Sequence, residues 1–142
     1  EKITTLRTRL QTALSNRRKA YQTISEKLNT AVEKLKKAGV DTTKLETARD
    51  DIRADIASLD ESMNAYDTVL ADLEEMDCVA DPATFQAALE SARETQKSLR
   101  EQAQQVRTFA TTEVKALLEE MKTKLSAQSD ATTEQPTEGG DQ

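Results

Sequence analysis

The side chains that most often carry chemistry are scarce in this sequence. It has one cysteine, Cys78, and no histidine among its 142 residues. Without histidine the sequence lacks the usual general base, the common catalytic triads and most transition-metal sites. Cys78 therefore has no obvious base to activate it, and one cysteine allows no intramolecular disulfide. We interpret it as a small apolar residue at a helix end.

Carboxylates are plentiful, and two pairs of them are spaced by one helical turn. Asp51 with Asp55, and Glu74 with Asp77, could each place two oxygen ligands on one face of a helix. Exposed pairs of this kind are usually solvated charge, and no Glu-x-x-His motif accompanies them. No glycine-rich phosphate loop occurs either. The sequence therefore predicts that the protein is not an enzyme and has no catalytic residues, no metal and no cofactor.

Basic residues cluster near the N-terminus, and phosphate backbones are the ligand they first suggest. The cluster comprises Arg7, Arg9, Arg17, Arg18, Lys19 and Lys27. No aromatic residues interleave with it, and the net charge of the chain is −6. Nucleic-acid binding is therefore not predicted.

Three polar residues are expected to meet inside the fold. Arg17 occupies an apolar position of the first helical pattern, opposite Met63 and Tyr66, and Gln96 falls beside Met63 by the spacing of the third pattern. We predict a polar core layer of Arg17, Tyr66 and Gln96. Setting the register of the helices is the favoured role, and a ligand site is the alternative.

Three long segments repeat apolar residues at steps of three and four, which predicts amphipathic helices at about 1–38, 42–77 and 82–126. Gly39 suits a helix end, Asp41 can cap the second helix, and Asp81 followed by Pro82 is a strong start signal. Residues 127–142 have no large apolar side chain and are predicted to be a disordered polar tail. The fold class is therefore all-α: an elongated antiparallel three-helix coiled-coil bundle, formed by residues 1–126. No apolar stretch is long enough to span a membrane.

The three helical segments differ in charge. Residues 1–38 carry ten basic and three acidic side chains, residues 41–77 carry three and twelve, and residues 81–126 carry seven of each. A basic helix beside an acidic one selects the partner and the orientation within the bundle. Much of the basic character of the first helix is therefore expected to be used internally.

The short connections set which residues face one another. Residue numbers of facing positions should add up to about 80 around the first turn and about 158 around the second. On this register the third helix overshoots the first turn after about Leu117, so Leu118, Met121 and Leu125 are predicted to project as a candidate interaction surface. Either a partner or a second copy of the chain could cover them.

Several motifs give the chain a resemblance to a known group. They are Arg17-Arg18-Lys19-Ala20-Tyr21, Leu35-Lys36-Lys37-Ala38-Gly39-Val40-Asp41, Asp77-Cys78-Val79-Ala80-Asp81-Pro82 and the run from Phe85 through Ala92-Arg93 and Val106-Arg107 to Val114-Lys115. The chain resembles uncharacterised, predicted secreted coiled-coil proteins of small-genome, candidate-phyla bacteria. That resemblance implies a signal peptide and an extracytoplasmic location, and it implies no activity. Because the chain begins at Glu1 within a helical pattern, an upstream segment is expected to have been removed, by signal cleavage or by trimming.

Together these features predict a non-enzymatic structural or protein-interaction module of the cell envelope. The alternative is a helical chaperone or adaptor that holds an unfolded or helical client. A third possibility, lipid binding by an opened bundle, ranks below both because the apolar seams are narrow. The protein partner is unknown, and a homo-oligomer is possible.

Overall fold

A computed structural model of the chain describes residues 3–133. The helices are α1 (Ile3–Lys37), α2 (Thr43–Glu75), α3 (Pro82–Thr108) and α4 (Lys115–Thr133), with a π-helical segment at Phe109–Val114 between the last two. The residues at both ends of this π segment keep right-handed helical angles, so α3, the π segment and α4 form one continuous helical stretch. The predicted all-α fold is confirmed. The predicted beginning of the first helix at residue 1 and the tail residues 134–142 lie outside the described residues.

The turn between α1 and α2 is built around Gly39, which has φ +77°. The Gly39 N–H donates to Lys36 O at 3.0 Å, and the Val40 N–H donates to Leu35 O at 3.0 Å. This is the pattern of a Schellman motif, in which a left-handed residue allows the last carbonyls of the helix to be satisfied. Val40 and Leu35 are both buried in the same cluster, as the motif's hydrophobic contact requires.

Aspartates lie at the starts of α2 and α3: Asp81 is the N-cap of α3, whereas the N-cap of α2 is Thr42, so Asp41 lies one residue ahead of the cap position predicted for it. The Asp41 carboxylate accepts a hydrogen bond from the Thr43 N–H at 2.9 Å, ahead of α2. The Asp81 carboxylate accepts from the Thr84 N–H at 3.1 Å, and Pro82 occupies the first position of α3. Both aspartates supply acceptors for N–H groups that have no partner inside the helix.

The middle helix, α2, organises the packing. It packs closely on α1 along one side and on α3 with the π segment along another, whereas the backbones of α1 and α3 come close at few positions. Its buried side chains are correspondingly the most numerous of any helix: Leu45, Ala48, Ile52, Leu59, Met63, Tyr66, Leu70 and Leu73. An open groove therefore remains between α1 and α3.

The buried side chains form two clusters. The first consists of Leu14, Leu59, Met63, Tyr66, Leu70, Leu73, Ala92, Leu99 and Val106. The second consists of Leu28, Val32, Leu35, Val40, Leu45, Ala48, Ile52, Val114 and Met121. Ile56 is half-buried and packs against both clusters. No residue of α1 is fully buried before Leu14 or between Leu14 and Leu28, so this half of α1 contributes little to the core.

Ion pairs between α1 and α2 follow the charge difference of the two helices. Arg7 pairs with Glu74 at 2.8 Å, Arg18 with Asp60 at 2.5 Å, and Lys36 with Glu46 at 2.5 Å. The residue numbers of these pairs add up to 81, 78 and 82, close to the expected 80. The N-terminal part of α1 thus contacts the C-terminal part of α2.

The register of α4 on α2 differs from the expected one, and the prediction that Met121 projects is wrong. Met121 is 1% exposed and lies in the second core cluster, and Leu118 packs partly against that cluster. Lys44 pairs with Glu120 at 3.8 Å, so these numbers add up to 164 rather than 158. The continuous stretch of α3, the π segment and α4 uses more residues than expected to reach the level of the α1–α2 turn. Part of the reason is that the π segment closes wider hydrogen-bonded turns than an α-helix does. Only Leu125, at 36% exposed, stays at the surface as predicted.

The predicted end of the third helix at residue 126 is also wrong, because α4 continues to Thr133. The side chains of residues 122–131 are all exposed, so burial does not drive this extension. Residues 127–131 contain no glycine or proline, and the first later proline is Pro136. Adding residues to an existing helix needs no new nucleus, so good helix formers such as Ala127 and Gln128 continue it without an apolar face.

Candidate functional site

The groove between α1 and α3 contains two adjoining cavities of about 500 Å³ and about 200 Å³. Both cavities are lined by Arg17 of α1 and Arg100 of α3, so they lie next to each other at these two residues. The larger one extends toward Ile24 and Thr111, and the smaller one toward Leu6 and Gln96. The lining residues of α1 span positions 6–24, which corresponds to about 27 Å of helix.

The groove has an apolar floor. α2 provides Ile52, Met63 and Tyr66, all at most 3% exposed. The walls add further apolar side chains: Leu6, Leu10, Ala13, Tyr21, Ile24, Leu99, Ala103, Val106 and Ala110. Ala13 and Ala103 are too short to reach across, and Arg17 takes an apolar position of the α1 pattern. These residue choices leave the space between α1 and α3 unfilled.

Four arginines border this floor. Arg9 lies at the end of the smaller cavity, Arg17 and Arg100 at the middle, and Arg107 at the end of the larger cavity. No aspartate or glutamate lines either cavity. In a chain with 26 acidic and 20 basic residues, this is a local reversal of the overall charge.

These arginines also have no carboxylate partner among residues 3–133. The only polar contact of the Arg17 side chain within that range is between its guanidinium and the Met63 sulfur, at 3.9 Å. By contrast, Arg7 and Arg18, which face α2 on the other side of α1, are bound to Asp67, Glu74 and Asp60. Hydrogen bonds with Asp67 and Glu74 raise the pKa of Arg7, and one with Asp60 raises that of Arg18. The groove arginines therefore remain available to an anionic partner, as do exposed lysines outside the groove such as Lys19 and Lys97.

The structure brings the predicted polar layer together at this groove. Arg17, Tyr66 and Gln96 all line the smaller cavity. Tyr66 is 3% exposed, Gln96 is half-buried and Arg17 is exposed. No hydrogen bond joins the three within the described residues, and every buried side-chain polar atom there has a partner. The Tyr66 hydroxyl has no hydrogen-bond partner among these residues, so it is not one of the fully buried atoms. It therefore reaches solvent in the cavity. Burial raises the pKa of this phenol, and the positive charge of Arg100 acts in the opposite direction.

Sequence reasoning missed Arg9, Arg100 and Arg107 as members of this site. A signal was present: Arg9 and Arg17 are eight residues apart, and Arg100 and Arg107 are seven apart. Such intervals of about two turns repeat a side chain on one flank of a helix. The flank could not be assigned to an open groove, because the pattern alone does not show that α1 and α3 stay apart.

The other candidate residues lie elsewhere. Asp51, Asp55 and Cys78 are exposed. Glu74 binds Thr4 and Arg7, and Asp77 accepts hydrogen bonds from the backbone N–H groups of Val79 and Ala80. Over residues 3–133, no three histidine, cysteine or carboxylate side chains gather as a metal site would need.

The predicted overhang residues are also separate from the groove. Leu125 borders a shallow cleft of about 410 Å³ together with Ala38, Gln128, Ser129 and Ala131. Because Met121 is buried, Leu118, Met121 and Leu125 do not form a joint projecting surface. Whether Leu125 contacts a partner stays a prediction.

Comparison with protein-family models, with curated proteins and with solved structures gives no match. None of the helices described between residues 3 and 133 has the length and apolar character needed to cross a bilayer.

Proposed function

We propose that this chain is a non-enzymatic protein-interaction module whose groove between α1 and α3 accepts a helix from a partner protein. The observation that carries the proposal is the apolar floor left open between two helices that both pack on α2. On this proposal, the chain is an antiparallel three-helix coiled coil with α2 in the middle position.

Helix packing explains why a helix is the best occupant. Two helices resting on a third leave a long concave surface, and an amphipathic helix fills such a surface with its apolar face. A fourth helix placed there would complete a four-helix arrangement around the seam of α2. The occupant would cover Leu6, which is 36% exposed in the chain alone.

The proposal is tested by photo-crosslinking in the source cells. A photoreactive residue replaces Ala13 or Ala103 in the groove, and the matched control replaces Ala54, which is exposed on α2 away from the groove. We expect one discrete protein adduct from the groove positions and none from Ala54. Equal labelling at all three positions would contradict a specific groove partner.

A chaperone or adaptor that holds an unfolded client is the second candidate, and the exposed apolar floor favours it. Purified protein would then suppress the aggregation of a denatured substrate at a stoichiometric ratio. Bulky side chains placed at Ala13 and Ala103 should abolish the effect. An absence of suppression by the unaltered protein would eliminate this candidate.

We also propose that the module acts at the cell envelope, which is supported by the resemblance to predicted secreted coiled-coil proteins. Protease applied to intact source cells should then degrade it. Full protection until the cells are lysed would instead place the interaction inside the cell.

A further inference from the structure

We propose that the partner segment is an acidic amphipathic helix with carboxylates on both of its flanks. This inference rests on the proposed function, since it specifies the occupant of the same groove. It follows from an apolar floor that is bordered on each side by arginines and by no acidic side chain.

The positions of the arginines define the pattern that the partner needs. Arg9 and Arg17 border the α1 side at a spacing of about 12 Å, and Arg100 and Arg107 border the α3 side at about 10 Å. A helix lying in the groove has two flanks, one beside each wall, like the e and g positions of a coiled coil. Carboxylates repeated every seven or eight residues on each flank would pair with all four guanidinium groups, over a helix of about 16 residues.

A second copy of this chain is a poor occupant. Two grooves meeting about a two-fold axis would bring their arginine rows together, and like charges at an interface are unfavourable. The acidic helix of the chain, α2, already uses its apolar side chains in the two core clusters. Its remaining surface therefore lacks the apolar face that the groove floor requires, which leaves a different protein as the partner.

The test uses the full chain of residues 1–142 and three synthetic peptides of about 16 residues. The peptides share one apolar seam and differ only on their flanks, which carry glutamate, glutamine or lysine. Binding is measured by fluorescence anisotropy of the labelled peptides. We expect the glutamate peptide to bind about tenfold more tightly than the glutamine peptide, with the lysine peptide weakest. Added salt should reduce these differences because the flanking charges are exposed to solvent.

Charge reversal in the groove provides the second arm. The variant Arg17→Glu/Arg100→Glu should invert the preference, so that the lysine peptide binds more tightly than the glutamate peptide. The matched control is Lys19→Glu/Lys97→Glu, because both lysines are exposed on the same two helices, neither lines the groove, and the net charge changes equally. This control should keep the preference for glutamate.

The outcomes separate the two proposals. Equal binding of all three peptides would overturn the acidic-partner inference and leave a helix-binding groove intact. Binding of none would overturn the proposed function together with the inference. If the chain instead sediments with phosphatidylglycerol vesicles, ignores the glutamate peptide and loses vesicle binding on reversal of Arg17 and Arg100, the groove takes an anionic lipid and the inference is wrong.

Discussion

At the scale of single residues, Gly39 determines how α1 ends. Its φ of +77° lies in the left-handed region, and apart from Gly39 itself and its two chain neighbours no described residue comes within 4 Å of the position that a Cβ would occupy. A side chain at this position would therefore destabilise the folded state through the strained backbone conformation and not through a steric clash. We expect Gly39→Ala to lower the free energy of unfolding by about 1 kcal/mol. Urea denaturation measures the change, and Gly39→Asn should be milder because asparagine tolerates this conformation. An unchanged midpoint for the alanine variant would show that the turn can end the helix in another way.

Tyr66 separates two interpretations of the polar residues at the groove. Its ring is packed in the first core cluster, but its hydroxyl has no hydrogen-bond partner among residues 3–133. We therefore expect Tyr66→Phe to change the free energy of unfolding by less than about 0.5 kcal/mol, whereas Tyr66→Ala should cost about 3 kcal/mol or more. Thermal and urea unfolding measure both. A large loss in the phenylalanine variant would favour the register-setting polar layer that the sequence predicts.

At the scale of elements, the ion pairs between α1 and α2 make the stability depend on pH. Hydrogen bonds from Lys36 and Thr42 lower the pKa of Glu46 below its usual 4.5, and those from Thr4 and Arg7 lower the pKa of Glu74 in the same way. In both cases the unfolded chain takes up protons first as the pH falls. The stabilisation of the folded state by these two carboxylates is therefore complete above about pH 4.5. It is lost as the pH drops through their lower pKa values in the folded chain.

We accordingly expect the urea midpoint to fall between about pH 5 and pH 3, and to fall less steeply in Glu46→Gln/Glu74→Gln. Some dependence should remain in this variant, because Asp41, Asp77 and Asp81 also have lowered pKa values through hydrogen bonds with backbone N–H groups and threonine hydroxyls. A midpoint that is flat over this range in the unaltered chain would contradict the role of these pairs.

The π segment is an element that the sequence does not single out, because the same double step of four at Leu6, Leu10 and Leu14 lies in regular α-helix. The apolar pattern takes two successive steps of four at Val106, Ala110 and Val114, where the structure places the wider turns. One extra residue is thereby absorbed without rotating the seam. Deleting Thr112, which is exposed, should restore a regular helix and change the melting temperature only slightly.

Deletion of Ser98 is the matched control for Thr112. Ser98 is also exposed, but it lies in regular α-helix, so removing it rotates every later residue by about 100° and carries Val106 and Val114 away from the core. We expect that variant to melt far below the unaltered chain. Equal losses from the two deletions would mean that the π segment is not simply an accommodated insertion.

The helices and their caps were predictable because each depends on local residues such as Gly39, Asp81 and Pro82. The site was only partly predictable. An apolar pattern shows that Leu14, Arg17 and Tyr21 share a face, but it does not show whether α3 reaches that face or stays apart. The position of α4 on α2, which buries Met121, depends on the π segment and on packing between distant residues, and α4 extends past residue 126 without any apolar signal.

At the scale of the whole molecule, Arg17 links the stability of the chain to the groove. It interrupts the seam of α1 between Leu14 and Tyr21, in a stretch where no residue of α1 is fully buried, and it has no carboxylate partner among the described residues. A leucine at this position would extend the apolar seam across the groove floor. We expect Arg17→Leu to raise the free energy of unfolding by about 0.5–1 kcal/mol while weakening the binding of the glutamate-flanked peptide.

Urea denaturation and peptide anisotropy on the same preparation measure both effects, with sedimentation to verify that the variant stays in the same oligomeric state. Arg18→Leu is the control, since Arg18 is bound to Asp60 and lies outside the groove. It should lose a little stability and keep its peptide affinity. If Arg17→Leu were instead destabilising and bound the peptide normally, Arg17 would serve to hold the register of α1 against α2, because its removal would then disturb the fold and leave the groove unaffected.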